Sequence, residues 1–507
     1  MTKYYLTTAI DYSNGDPHLG HALEKIGADA IARWQRMRGH QVHFLMGMDE
    51  HSQSVIQAAA RAEVSPKAWV DEMSARFSRF WSRLDCSHDD WIRTTEPRHH
   101  RTVTELLTRI SRNNPEDLFE SEYQGLYCDG CEEFKVAAQI IDGRCEEHPT
   151  LTLRNSEERN HFFRLSQYGP KLHQLISSGE FQVDPAIRRN EVLRLIEAGL
   201  QDISVSRRRS AWGIPFPGDP EQTVYVWFDA LINYLSATGF PDPEFTRLWP
   251  ADLHIIGKGI TRFHCVIWPA MLLAAGVPLP KRVWAHGYVQ WGGAKMSKTA
   301  GTAVDLDSAI DRYGSDALRW FLLREIGFEA DGDFTWDRFD TRYLADLADG
   351  LGNLAARSLA MIAKYRDGVV PRNTGTPDLE TQLDAATTQF EAAMDAMDLR
   401  TGATTLSELV ATANQQIVRT APWNLAKTGD DAALDQILVS LAQILARLAL
   451  MSYPFMPRTA VQLLQSLGLE QQINNLPWGD PVFRNLSGRH TSKPPILFPK
   501  PNSATPS

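Results

Sequence analysis

Apolar and polar positions recur in three ways along this chain, and each predicts a different kind of element. The first run, Tyr4-Tyr5-Leu6-Thr7-Thr8-Ala9-Ile10, reads as an extended, buried strand. After a loop holding Asn14, Gly15 and Pro17, Leu23, Ile26, Ala30 and Trp34 recur at helical spacing. A second strand is predicted over 42–47. Strand, helix, strand in that order predicts a parallel α/β sheet. From about 116 to 223 the pattern breaks into short segments around a cysteine cluster, with a helix near 191–196, and a strand-like run returns at 223–228. Beyond Asp349 the periodicity is almost wholly helical. Ile437, Leu438, Leu441, Ile444, Leu445 and Leu448 mark one apolar stripe of a bundle, ended by Tyr453-Pro454-Phe455-Met456-Pro457.

These shifts divide the chain into blocks. Residues 1–114 read as the first half of a nucleotide-binding sheet domain, 115–223 as an insertion and 224–290 as the second half. Residues 291–348 form a linking region, 349–499 a helical domain, and 500–507 a disordered tail. With 507 residues there is room for about three or four domains. A hydrophobic share of 43% and a charged share of 22% fit a globular chain with large cores rather than a disordered one. No window approaches the roughly 18 uninterrupted apolar residues that span a bilayer. No signal peptide is visible, so the expected compartment is the cytoplasm, with no membrane partner. The net charge of −10 argues against indiscriminate nucleic-acid binding but not against local basic surface, for which Arg207-Arg208-Arg209 and Arg98-His99-His100-Arg101 are candidates.

Two short motifs explain each other. His18-Leu19-Gly20-His21 opens the first helix, where free backbone N–H groups and the helix dipole favour a phosphate. Gly20 would let a nucleotide lie close to the backbone. Lys295-Met296-Ser297-Lys298-Thr299 follows Gly292-Gly293 and precedes Gly301, so Lys295 and Lys298 are expected on a mobile loop, able to neutralise a departing pyrophosphate. Orientation of ATP against a carboxylate, plus charge stabilisation, is enough chemistry for adenylate formation.

The five cysteines are odd in number and come without an export signal, which speaks against a disulfide framework. Cys128-x2-Cys131 and Cys145-x2-His148 form two chelating pairs that can close a tetrahedron around a structural zinc, one per chain. Cys86 and Cys265 have no metal-ligand partners nearby and read as core residues.

The motif pair resembles the two signatures of class I aminoacyl-tRNA synthetases. Asp49-Glu50-His51, Gly125-Leu126-Tyr127-Cys128, Trp212-Gly213-Ile214-Pro215, Val226-Trp227-Phe228-Asp229-Ala230 and Phe263-His264 extend the likeness. Together they are similar to methionyl-tRNA synthetases of the bacterial form with one zinc knuckle. The resemblance implies a Rossmann-type parallel sheet split by a zinc-binding insertion, followed by an all-α anticodon-binding bundle. It implies methionine–tRNA ligation through methionyl-adenylate, with ATP and Mg²⁺, L-methionine, and initiator and elongator tRNA(Met), by a monomer. By the same resemblance His18, His21, Lys295 and Lys298 are catalytic, and Asn14, Gly20, Glu24 and Lys298 bind ATP. Ala9, Ile10, Tyr12, Trp227, Ala230, Tyr234, Ile260 and His264 surround the methionine side chain; aromatic walls contact a thioether sulfur favourably, and a tyrosine hydroxyl can donate to it. Asp49 pairs its ammonium. Asn353, Arg357 and Trp423 read the CAU anticodon.

Departures from the family pattern are Gly259 in place of Asp in a Gly-Lys-Asp-Ile run, Asp11 at a usually apolar position, Met48, Ser52 and Thr299. A buried Asp11 is costly unless it finds a cation. Rival readings are a nucleotidylyltransferase, another class I synthetase, and a divergent synthetase-like RNA-binding or regulatory protein. Chain length and the small insertion weigh against the first two, and the retained motif residues against the third.

Overall fold

At the centre of the fold, strands from distant parts of the sequence lie side by side in parallel. Four come from the N-terminal stretch: β1 (Lys3–Thr8), β2 (Asp11–Tyr12), β3 (Gln41–Asp49) and β4 (Asp90–Arg93). Three more, Gln182–Asp184, Leu253–Gly257 and Arg282–His286, complete a seven-stranded sheet. Leu6 of β1 faces Phe44 on one side and Leu253 on the other. The computed structural model describes residues 2–128, 133–135, 140–146, 151–208, 212–295, 306–470, 476–493 and 495–500. Helices cover both faces of the sheet, so β1 and β3 are buried as continuous runs rather than in alternation.

Helix α1 (Leu19–Met37) follows β1 and β2, and every residue from Ala22 to Trp34 is buried. Its C-terminal end is embedded in the helical domain. Trp34 Nε1 donates to Asp395 at 2.8 Å, and the Trp34 ring meets Trp478 edge-on. Arg319, fully buried, bonds Asp29 of α1 at 2.7 Å and the carbonyls of Leu84, Pro454 and Phe455.

Two sequence boundaries change. The interval 115–223, read as one insertion, contains Gln182–Asp184, an edge strand of the main sheet paired with Arg282–His286. Only Val183 of those three is buried, too short a pattern to show a strand period. The inserted part is instead an antiparallel sheet of Ile203–Ser204, Arg154–Phe163, Leu118–Cys128 and Glu133–Lys135. The run at 223–228, read as a strand, is a strand end and a helix: Asp219–Val224 stops and Val226–Leu231 begins. A short apolar run does not distinguish the two by periodicity.

The C-terminal part is helical. Trp336–Arg342, Tyr343–Gly352 and Asn353–Arg366 run on without a break, so position 349 lies inside a helix. Asp431–Ser452 is long and apolar enough to cross a membrane by composition, but 83% of that window is buried inside the protein. It is the bundle's core helix, as its apolar stripe predicts.

Candidate active site

The histidine motif caps its own helix. His18 is the N-cap residue of α1, and its Nδ1 accepts from the N–H groups of Gly20 at 3.1 Å and His21 at 3.4 Å. His21 Nδ1 accepts in return from the His18 N–H at 3.3 Å, and the two rings stack at 3.6 Å. These N–H groups are therefore satisfied by the histidines, not left for an anion. With Nδ1 accepting on each ring, the proton sits on Nε2, which becomes the donor. The rings thus relay the helix terminus outward. Gly20 leaves room for this fold-back: a Cβ there would stand a tight 3.0 Å from the His18 ring.

A cavity of about 230 Å³ opens beside this cap, across the C-terminal ends of the parallel strands. Ligands of open α/β sheets bind at that edge. Ala9 and Ile10 enter it from the end of β1, Asp49 from the end of β3, Gly257 from Leu253–Gly257 and His286 from Arg282–His286. His18, Gly20, His21 and Glu24 line one part, and Tyr12, Trp227, Ala230, Tyr234, Ile260 and His264 another. Asn14 is exposed, bonded to Ser54 at 3.4 Å, and is not among the lining residues.

The aromatic part is built by stacking. Trp227 lies against Phe263 at 3.9 Å and meets Tyr12 edge-on at 5.7 Å. The Tyr234 hydroxyl and His264 Nε2 are 2.6 Å apart, and His264 Nδ1 is 3.0 Å from the Ile260 carbonyl. Burial pushes the His264 imidazole down to about 4, so it is neutral. Its Nδ1 must then donate to the carbonyl, and its Nε2 must accept from Tyr234. The Tyr234 hydroxyl proton is thereby engaged by His264.

The floor is charged. Lys25 is fully buried, and its Nζ bonds Asp11 at 2.7 Å, Glu24 at 2.7 Å and the Ala9 carbonyl at 2.8 Å. Asp11 has thus found the cation it needs. Burial raises the Asp11 carboxyl to about 6, with Lys25 offsetting only part of that rise. Burial alone would raise Glu24 as well, yet Lys25 and His286 outweigh it and hold it at about 2. His286 Nε2 lies 3.1 Å from Glu24.

A second buried network fixes the walls. Asp229 bonds His51 Nδ1 at 2.7 Å and His99 Nε2 at 2.6 Å, tying the residues after β3 to the helix that carries Trp227 and Ala230. His51 and His99 hold Asp229 well below the usual carboxylate range despite its burial. His99 is therefore structural, as are its neighbours in the basic run: Arg98 pairs with Asp90 and Glu96, and Arg101 with Asp242. In the other basic run, Arg207 lies over the Tyr225 ring.

From the cavity wall at Tyr288 the chain enters the hairpin Val289–Trp291 and Ala294–Lys295, with Gln290 opposite Lys295. Lys298 lies outside the described residues. In the zinc motif Cys128 and Cys145 are buried in one small cluster with Leu153, which suits thiolate donors drawn together; Cys131 and His148 lie outside the described residues. Among the described residues no three metal-ligating side chains gather. Cys86 and Cys265 are buried core residues, their thiols pushed up by burial. Asn353 and Arg357 sit on Asn353–Arg366, and Trp423, 38% exposed, on the short helix Pro422–Thr428.

Sequence reasoning missed Lys25, His286, Gly257 and Tyr288 as site residues. The strand-end positions of the last three were the available signal.

A family model described as tRNA synthetases class I (M) matches residues 4–152 and 138–359, and one described as the anticodon binding domain of methionyl tRNA ligase matches 371–504. The methionine–tRNA ligase of Caldanaerobacter subterraneus subsp. tengcongensis is 39% identical over 506 residues, 98% of this chain and 78% of that protein. The Brucella suis methionine–tRNA ligase is 42% identical over 479 residues, 92% of each. The structure of Mycobacterium tuberculosis methionyl-tRNA synthetase in complex with methionyl-adenylate matches with a TM-score of 0.92 at 39% identity, covering 98% of this chain and 100% of that one. With both halves of the sequence matched by the same kind of enzyme, and the fold matched across nearly the whole chain, this protein belongs to the methionyl-tRNA synthetase family of class I aminoacyl-tRNA synthetases.

Proposed function

We propose a division of labour for the family's reaction, in which methionine and ATP form methionyl-adenylate and pyrophosphate, and the methionyl group then passes to tRNA with release of AMP. One observation carries it: the mutual histidine cap of α1 and the Asp49–Tyr234–His264 region line the same cavity.

The methionine side chain enters between Trp227, Tyr12 and Tyr234, with Ala9, Ile10, Ala230 and Ile260 supplying apolar contact and aromatic faces meeting the sulfur. Asp49 takes the ammonium. The methionine carboxylate then lies toward the histidines and attacks the α-phosphorus of ATP. One P–O bond forms and the bond to pyrophosphate breaks. Nε2–H groups of His18 and His21 donate to the phosphate oxygens on which charge develops, a stabilisation realised mainly in the transition state. Lys295 and Lys298 neutralise the leaving pyrophosphate, Gly20 and Glu24 line the ATP site, and Asn14 reaches ATP from its exposed position outside the cavity lining. Mg²⁺ arriving with ATP would supply further positive charge to the triphosphate, beside Lys295 and Lys298. In the second step a terminal ribose hydroxyl of the tRNA attacks the acyl carbon, and AMP leaves.

Cys128, Cys131, Cys145 and His148 would hold a structural zinc that folds the tip of the inserted sheet; four protein ligands leave no open position for catalysis. Asn353, Arg357 and Trp423 recognise the anticodon of initiator and elongator tRNA(Met). A monomeric, cytoplasmic enzyme is part of the same proposal, and sedimentation of the purified chain tests its oligomeric state. Methionine-dependent ATP–pyrophosphate exchange, run with each of the twenty amino acids, tests the whole. Exchange with methionine alone supports the reading; exchange with none, or with another amino acid in preference, overturns it.

A further inference from the structure

Two parallel strands end in glycine turns along one wall of the cavity. Leu253–Gly257 runs into Lys258-Gly259-Ile260, and Arg282–His286 runs into Gly287-Tyr288. At Gly257 and Gly259 the cavity meets backbone rather than side chain. The space a side chain at 259 would occupy is already taken: a Cβ on Gly259 would overlap the Tyr288 hydroxyl oxygen. The backbone at Gly259 does not lie in the left-handed region, so its lack of a side chain is explained by this approach and not by a turn.

The Tyr288 ring is held in place. Lys258 Nζ sits 4.6 Å from its centroid and is fixed by Asp331 at 2.7 Å. Asp331 also accepts from the Tyr288 backbone N–H at 2.9 Å. Gly287 makes this possible, because a Cβ there would overlap the backbone at Ala330 and Asp331. Both glycines thus serve to bring one hydroxyl to one point of the cavity wall.

We propose that Tyr288 is a specificity-determining residue for the nucleotide, its hydroxyl bonding a ribose hydroxyl of ATP, with Gly259 as the gap that admits it. This rests on the ligase reading. The phosphates are drawn to His18 and His21, and the aromatic part around Trp227 and Tyr234 takes the amino acid. The nucleoside is left the wall at Gly257 and Gly259. A sugar ring packs closely on bare backbone, and a phenol hydroxyl, which both donates and accepts, matches a sugar hydroxyl. Sites built to bond a substrate hydroxyl reject analogues lacking it, because the protein group is then left unpaired.

The test is methionine-dependent exchange with ATP, 2′-deoxy-ATP and 3′-deoxy-ATP at saturating methionine. The wild-type chain is expected to prefer ATP over at least one analogue by about tenfold or more. Tyr288→Phe should lose about tenfold in kcat/KM for ATP, change little with that analogue, and keep the KM for methionine. Gly259→Ala should behave alike by displacing the hydroxyl, and the double variant should be no worse than either single. Equal losses with ATP and both analogues, or undiminished discrimination in Tyr288→Phe, overturn the proposal. A wild-type chain with no methionine-dependent exchange overturns the ligase reading instead.

Discussion

Tyr234 gives its hydroxyl proton to His264 at 2.6 Å, and the imidazole can accept it only while neutral. That couples the pocket to pH with a definite sign. The unfolded imidazole takes a proton near pH 6.5, whereas the buried one does so at about 4. The unfolded state therefore binds more protons between these values, and stability falls as pH drops through them, by about 3 kcal/mol once below both. Urea unfolding of wild type and His264→Gln across pH 4 to 7 measures this. The wild-type midpoint should fall more steeply with acid; parallel curves would contradict the assignment.

Lys25 makes a second prediction. Replacing it with Met leaves Asp11 and Glu24 buried beside one another without their shared cation. Breaking such a cluster from one side costs roughly 3–5 kcal/mol. Thermal unfolding should shift down by several degrees, and adding Asp11→Leu should recover part of the loss. An unchanged unfolding temperature for Lys25→Met would show that the cluster contributes nothing.

Trp423 separates the two substrates. Its exposed ring is not among the residues lining the cavity, so Trp423→Ala should leave ATP–pyrophosphate exchange intact. Loss of one base–aromatic stack, about 1–3 kcal/mol, should lower kcat/KM for tRNA roughly tenfold or more in aminoacylation. Normal charging would remove Trp423 from anticodon recognition.

Metal content tests the knuckle. Elemental analysis should find one zinc per chain, and Cys131→Ser should lose it while the helical domain keeps its unfolding transition. Full zinc in that variant would exclude the proposed ligand set.

Much of this was legible in the sequence because long apolar runs and helical stripes carry strong periods. β1, α1, β3 and the core helix Asp431–Ser452 lie where the pattern puts them. The three-residue strand Gln182–Asp184 did not show, because it buries a single residue and owes its place to the neighbouring strand. The run at 223–228 is apolar in either conformation, and only packing makes its second half a helix. The motif residues were readable by type, but their roles needed coordinates. His18 and His21 occupy helix N–H groups that the sequence pattern leaves for a phosphate. Lys25 looks like an ordinary surface lysine until Asp11 and Glu24 are found on either side of it. Tyr288 became visible only through the side chain that Gly259 lacks.

The account depends most on the paired imidazoles acting on ATP. His18→Ala and His21→Ala should each reduce methionine-dependent ATP–pyrophosphate exchange by about a hundredfold or more. Methionine affinity, followed by tryptophan fluorescence, should stay near that of the wild type. Exchange at the wild-type rate in either variant, or a loss explained wholly by weaker methionine binding, would contradict it.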